Sequence, residues 1–470
     1  MTEVEDKKIK HLYHRAGFGL DLKTWKEVKG KPLKKAIRRV LKGGEINLEL
    51  SAGEMEDLSR KEIRMMGKEA RQEKAKENRL FVRDLNVAWV RRMAFSQAQL
   101  REKMTLFWHD HFACRLRLYK MVLLQNNTLR NYSLGKFKDL LLAISKDPGM
   151  LQFLNNQQNR KTAPNENFAR ELLELFTLGR GHYTEEDVKE AARAFTGWGF
   201  GFDGEFIFRR RQHDFGVKTF LGKKGNFDGE DIIDIILEQR QCARFLTRKI
   251  YRFFVNEEVD EDILEDWSSY FYEEEYDIGK LLVMIFNSDH FYASSNMGTR
   301  IKSPTEFLVG LMRHLDMDLH KPEGLIYLQK ILGQVLFQPP NVAGWPSGRN
   351  WIDSTTLMSR LKIPEALVRS DSLLPVPKAD FSGNEDIIRT SRRLQNRLAS
   401  DINWEKLLET MAKAGSYEKA VEWTEDYLFS GPQPSLPLGD FKAFARGKEQ
   451  SETMKWIMLR LLSTPEYQFC

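Results

Sequence analysis

Along most of the chain, apolar residues recur at i, i+3 and i+4, the spacing of helices that bury one face. The pattern predicts helical segments over 21–41, 54–113, 119–145, 165–179, 184–196, 229–254, 261–272, 276–288, 303–316, 322–336, 354–369, 385–413, 416–428 and 450–463. Residues 60–79, RKEIRMMGKEARQEKAKENR, are dense in both signs of charge and read as an exposed helix carrying many charge pairs. One region has a different period. In 199–222, GFGFDGEFIFRRRQHDFGVKTFLG, Asp203-Gly204 lies between aromatic-rich alternating runs, a β-hairpin signal. Residues 371–384 and 430–439 are rich in Pro, Gly and Ser and read as loops. The expectation is a mainly α protein: one large multi-helical domain over 1–470 with one small β-hairpin element, the two loops bounding a C-terminal helical subregion.

The helix predicted at 165–179 begins the stretch NENFARELLELFTLGRGHY. Asn165 suits an N-cap, and Glu166 suits the positive end of the helix dipole. On an α-helical wheel Phe168, Ala169, Leu172, Leu173, Leu175 and Phe176 fall on one side. Glu166, Asn167, Arg170, Glu171, Glu174 and Thr177 fall on the other. Gly179 and Gly181 offer a C-cap, and Thr184 with Asp187 forms a capping box for the next helix. The polar side is either a solvated face with i, i+4 charge pairs, or the wall of a cavity in which Glu166, Glu171 and Glu174 act as acid, base or cation ligands beside Arg170.

Three other stretches carry candidate chemistry. In FWHDHFACR (107–115), His109 and His111 form an H-x-H pair beside Asp110. On an extended backbone the pair shares a face and would ligate a metal; on a helix His111 joins the apolar stripe of Met104, Phe107, Trp108 and Phe112, and His109 turns outward. HRAGFG (14–19) sets His14 and Arg15 before a Gly-x-Gly turn, and QHDFGVKTFLG (212–222) brings His213, Asp214 and Lys218 after the hairpin. FQPPNVAGWPSGRNWIDSTTLMSR (337–360) is a stiff aromatic loop before a helix. Its tryptophans, Trp345 and Trp351, are either buried pins or a platform for a sugar ring or peptide, with Arg349 and Asn350 as polar handles.

Bulk composition mainly excludes. The 470 residues carry 73 basic and 67 acidic side chains, a net +6 that gives no nucleic-acid footprint. Three distant cysteines build neither a disulfide framework nor a Cys-rich zinc site. No run is long and apolar enough to span a bilayer. The charged start, without an apolar signal region, reads as cytoplasmic. Walker A, dinucleotide, nucleophile-elbow and HExxH motifs are absent from the sequence.

HLYHRAGFG, LFWHDHFA, NENFARELLELFTLGRGHYTEEDVKEAARAFTGW, HDFGVKTFLG and LFQPPNVAGWPSGRNWI resemble, in order, the motifs of a bacterial family, domain of unknown function 1800. The match includes Asn165, Glu166, Asn167, Arg170, Glu171, Glu174, Gly179 and Tyr183. The resemblance implies a single multi-helical domain without an assigned activity and a periplasmic or otherwise exported location. It also implies a functional partner from domain of unknown function 1501, a family resembling alkaline phosphatases and sulfatases. It favours the cavity reading of the polar helix face.

Two functions stand as expectations. The first is a hydrolase acting on glycans or other extracellular polymers, with Glu166, Arg170, Glu171 and Glu174 catalytic, Asn165, Asn167, His213, Trp345, Arg349 and Trp351 binding, and His109 and His111 holding a divalent metal ion or moving a proton. The second is a non-catalytic binding or assembly protein that works with a partner hydrolase. Three structural expectations accompany them. Phe168, Leu172, Leu175 and Phe176 are buried; Trp345 or Trp351 borders a pocket or a partner surface; and the polar face of 166–177 turns onto a cavity shared with His109 or His111.

Overall fold

The helix Gln99–His111, QLREKMTLFWHDH, is buried along nearly its whole length although it carries Arg101, Glu102 and Lys103. It packs against the helices Thr2–Ala16, Leu33–Glu45, Lys68–Phe95 and Tyr119–Tyr132. The computed structural model describes residues 2–55, 62, 65–369, 398–434 and 443–470. Glu102, buried in this core, is paired. Arg130 donates to both oxygens of Glu102 (2.9 and 3.1 Å), and Trp89 Nε1 donates to Glu102 Oε2 at 2.9 Å. A charged pair removed from water persists only when its lone pairs and protons are satisfied in this way.

The chain is mainly α, with small antiparallel two-stranded sheets. The expected hairpin forms between Trp198–Phe200 and Phe206–Phe208, with Gly204 at φ +89°. Two further pairs form: Lys218–Phe220 with Lys223–Gly225, and Met317–Leu319 with Ser400–Ile402. The capping box at Thr184 and Asp187 is present, and Gly179 and Gly181 both take positive φ. Several expected segments are broken. The 54–113 segment divides at Ser96 into Lys68–Phe95 and Gln99–His111, and 229–254 divides into Gly229–Leu237 and Arg240–Phe254. The helices Thr2–Ala16 and Pro148–Phe153 add to those expected. The loop expected at 371–384 lies outside the described residues, as do 435–439 of the second. No described helix is long and apolar enough to cross a membrane.

The functionally suggestive departure is at 172–177. The helix starts at Asn167, where Asn165 Oδ1 accepts from the Asn167 N–H at 3.1 Å. After one α-helical turn, Leu172–Thr177 winds as a π-helix. The Leu178 N–H donates to Leu173 O at 2.9 Å, and Thr177 Oγ1 donates to Leu172 O at 2.6 Å. The extra residue per turn rotates the later positions out of the α-helical register, and such turns recur at functional sites. Phe168, Leu172 and Phe176 are buried as expected, but Leu175 is only half-buried, whereas Thr177, expected on the polar side, is fully buried.

Candidate functional site

The last turn of the helix Leu172–Thr177 ends with two carbonyls that have no partner within the helix. Phe176 O accepts from His111 Nε2 at 3.1 Å, and Leu175 O accepts from Lys249 Nζ at 3.0 Å. Lys249 stands on the helix Arg240–Phe254 and also donates to His111 Nδ1 at 3.2 Å. Because Nε2 faces a carbonyl, it carries the imidazole proton, and Nδ1 is the acceptor toward the ammonium. Burial, and then the Lys249 charge, hold His111 well below its ordinary titration range, in the neutral form.

Asp110 is the half-buried position of an otherwise buried helix. Its Oδ1 accepts from the Trp345 N–H at 2.8 Å. This contact requires Gly344, which sits at φ +86°; a Cβ there would run into the Asp110 carboxylate. Burial pushes Asp110 up to about 6, against the Trp345 hydrogen bond and the Lys249 charge. Burial also pulls Lys249 down to about 8, against the attraction of Asp110. The two groups feel one another without forming an ion pair. Asp110 and Lys249 are both half-buried, and a carboxyl and an amine drawn toward neutrality from opposite sides make an acid–base couple of the kind concentrated at catalytic sites. Three residues beyond the helix of Lys249, the Glu257 carboxylate meets Gly348 of the aromatic loop.

The structure scatters the sequence-predicted residues. His109 is buried rather than outward, because the 337–345 loop covers that side: its Nε2 accepts from the Phe337 N–H at 3.1 Å and its ring lies 5.4 Å from Trp345. With both nitrogens of His111 also engaged, the H-x-H pair shares no open metal position. Among the described residues, no three His, Cys, Asp or Glu side chains come together as metal donors. The polar face of 166–177 does not close over a cavity with either histidine. Arg170 bridges Glu166 (3.1 Å) and Glu185 (2.7 Å), with side chains 33, 38 and 69% exposed, and Asn167 is exposed. Glu174 pairs with Arg180 and accepts from Tyr183 at 3.2 Å. Half-buried Glu171 has a raised pKa from burial and from its neighbour Glu174. Trp345 and Trp351 are buried and display no aromatic platform, whereas Arg349 and Asn350 are exposed. His213 is held by Thr196 O at 2.9 Å between Phe208 and Phe215.

Lys249 is the residue that the motifs miss. Its signal is positional: it follows Cys242 and Leu246 and precedes Phe253 at i, i+4, i+7, i+11, so it interrupts an apolar stripe. A cleft of about 1260 Å³ lies elsewhere, lined by Tyr13, Asp21, Gln99, Arg313 and His314 among others, and holds none of the acid–base residues.

The fold is multi-helical, and around Asp110, His111 and Lys249 it joins three motif-bearing segments. Residues 11–469 match the family described as "Protein of unknown function (DUF1800)", and the chain belongs to that family. The comparisons with curated proteins and with solved structures gave no match.

Proposed function

We propose that this protein is a hydrolase-type enzyme, acting on glycans or other extracellular polymers, in which Asp110 and Lys249 are the proton-transfer pair. The observation that carries the reading is that two half-buried, oppositely charged groups are each anchored separately, Asp110 by the Trp345 N–H and Lys249 by His111 Nδ1 and Leu175 O, and burial draws both toward neutrality. In hydrolysis, ionised Asp110 takes a proton from the attacking water, and the Lys249 ammonium gives one to the leaving oxygen. His111 Nδ1 and Leu175 O hold the ammonium in place, and exposed Arg349 and Asn350 lie on the loop that carries Trp345. The test is hydrolysis of a panel of polysaccharides by the full chain and by Asp110→Asn and Lys249→Met. Activity that either substitution abolishes without loss of helicity supports the reading; an active Asp110→Asn protein rejects it.

One observation favours a second reading. Three of the four charged motif residues of 166–174, Glu166, Arg170 and Glu174, are engaged in ion pairs open to solvent rather than with Asp110 or Lys249. On this reading the chain is a non-catalytic assembly protein, and that face docks a partner hydrolase of the domain of unknown function 1501 family. Co-elution with such a partner, lost on charge reversal at Arg170, distinguishes this reading from the first.

A further inference from the structure

Away from Asp110 and Lys249, the cleft of about 1260 Å³ gathers charge from distant segments of the chain. Seven cationic side chains and four carboxylates line it, a net of three positive charges. The carboxylates are largely engaged within the wall. Glu27 pairs with Arg39 at 2.6 Å, Asp21 pairs with Arg313 at 2.8 Å, and Asp316 accepts from Asn403 Nδ2 at 3.1 Å. Lys23, Arg38, Lys42 and Lys406 are exposed and make no ion pair among the described residues. They stand on three helices, Leu22–Val28, Leu33–Glu45 and Trp404–Ala412, with Arg38 and Lys42 one turn apart on the same face.

The lining also carries apolar surface. Leu22, Val40 and Leu407 are buried in its wall, whereas Ile46 is 38% and Phe95 49% exposed. Tyr13 belongs to the same wall, and its hydroxyl is buried without a partner. The charges that act on this hydroxyl are those of Arg39, Asp21, Arg313 and Glu27, all of them lining residues of the cleft. A buried hydroxyl without an acceptor is costly until a ligand oxygen meets it.

We infer that this cleft binds an acidic peptide segment of a partner protein, with its carboxylates on Lys23, Arg38, Lys42 and Lys406 and its aliphatic side chains on Ile46 and Phe95. The cavity exceeds the roughly 300–1,000 Å³ of small-molecule pockets, so it suits a length of chain better than a single metabolite. Four unpaired cations spread over three helices match several anionic groups along that chain, and complementarity of sign steers the encounter. The apolar surface separates a peptide from an acidic polysaccharide. A peptide brings aliphatic side chains to cover it, as in other groove-bound segments. A sugar chain brings none, and among the lining residues Phe95 is the one aromatic ring exposed for a sugar to stack on. The site shares no residue with the Asp110–Lys249 pair, so it stands whether or not that pair is catalytic.

The test is fluorescence anisotropy of short labelled peptides titrated with the full chain. A peptide of Glu, Asp and Leu should bind saturably, and less tightly as salt rises, because its ion pairs lie near solvent. The same peptide with Lys in place of each acid should not bind. Arg38→Glu combined with Lys42→Glu should weaken the acidic peptide by about tenfold or more, through like-charge repulsion. The circular dichroism should be unchanged, because both side chains are exposed and unpaired. If that variant does not fold, Lys406→Glu on its separate helix should weaken binding in the same direction. Absence of saturable binding overturns the inference, as does an affinity that the charge reversals leave unchanged. An oligogalacturonate that binds as tightly as the acidic peptide also overturns it, by assigning the cleft to a polysaccharide.

Discussion

Replacing Asp110 by Asn should stabilise the protein at neutral pH while abolishing the hydrolysis proposed for it. Asp110 ionises at about 6 in the folded chain against an ordinary value of 3.8. Between those values the folded chain holds a proton that the unfolded chain has released. Its contribution to stability therefore falls as pH rises through that window and stays low above it. A shift of about two units corresponds to roughly 3 kcal/mol at about 1.4 kcal/mol per unit. Asn removes that penalty and still accepts the Trp345 N–H through its carbonyl oxygen. Loss of the carboxylate's attraction for the Lys249 ammonium takes back part of the gain, so roughly 1–3 kcal/mol remains. Urea unfolding of both proteins across the acid-to-neutral range measures it. The two curves should coincide near pH 4 and diverge to a plateau by about pH 7. A variant that is less stable at neutral pH, or a difference that does not change with pH, refutes both the burial argument and the role of this carboxyl as a strained functional group.

Burial and pairing set the other outcomes. Leu172→Ala should cost about 2–5 kcal/mol in chemical denaturation, because the side chain is fully buried beneath the π-turn. Arg170→Ala should cost less than about 1 kcal/mol, since its pairs with Glu166 and Glu185 are open to solvent; a larger loss would mean that the face is covered in solution. Glu102→Gln should cost about 3–5 kcal/mol by leaving the Arg130 charge buried without its counter-ion, a loss that thermal unfolding would register. Gly344→Ala should displace the aromatic loop from Asp110, and the Trp345 fluorescence should shift toward that of a solvated indole.

Features written in neighbouring residues are legible in the sequence. Asp203-Gly204 announces its hairpin, and Thr184 with Asp187 announces a helix start, because turn and cap chemistry act within a few positions. Features set by distant packing are not. The helix Gln99–His111 reads as mixed because its charged residues satisfy one another or backbone carbonyls: Glu102 meets Arg130, and Arg101 Nε donates to Gly44 O at 2.9 Å. The sequence turns His109 outward only if one side of that helix meets water, whereas a loop more than two hundred residues later covers it. The pairing of Met317–Leu319 with Ser400–Ile402 joins segments with no local signal in common. Leu175 and Thr177 depart from their expected sides for a narrower reason. An α-helical wheel advances about 100° per residue, and a π-turn advances less, so one such turn moves the next residues onto the wrong side.

Packing between distant segments also explains how a candidate site escapes a sequence reading that names most of its parts. The motif around residue 170 bears on the candidate site through backbone rather than through its conspicuous carboxylates. Leu175 and Phe176 contribute carbonyls, and a carbonyl has no residue identity to read. On the other wall, Trp345 contributes its N–H, and Gly344 contributes the absence of a side chain. The groups left to do chemistry are then Asp110, conspicuous only as a neighbour of two histidines, and Lys249, which lies outside every motif. Each is inconspicuous because its special property is a shifted proton affinity, and burial by distant segments creates that shift. A motif reading therefore finds the frame of this candidate site, whereas the groups proposed as its acid and base are visible only once the frame is folded.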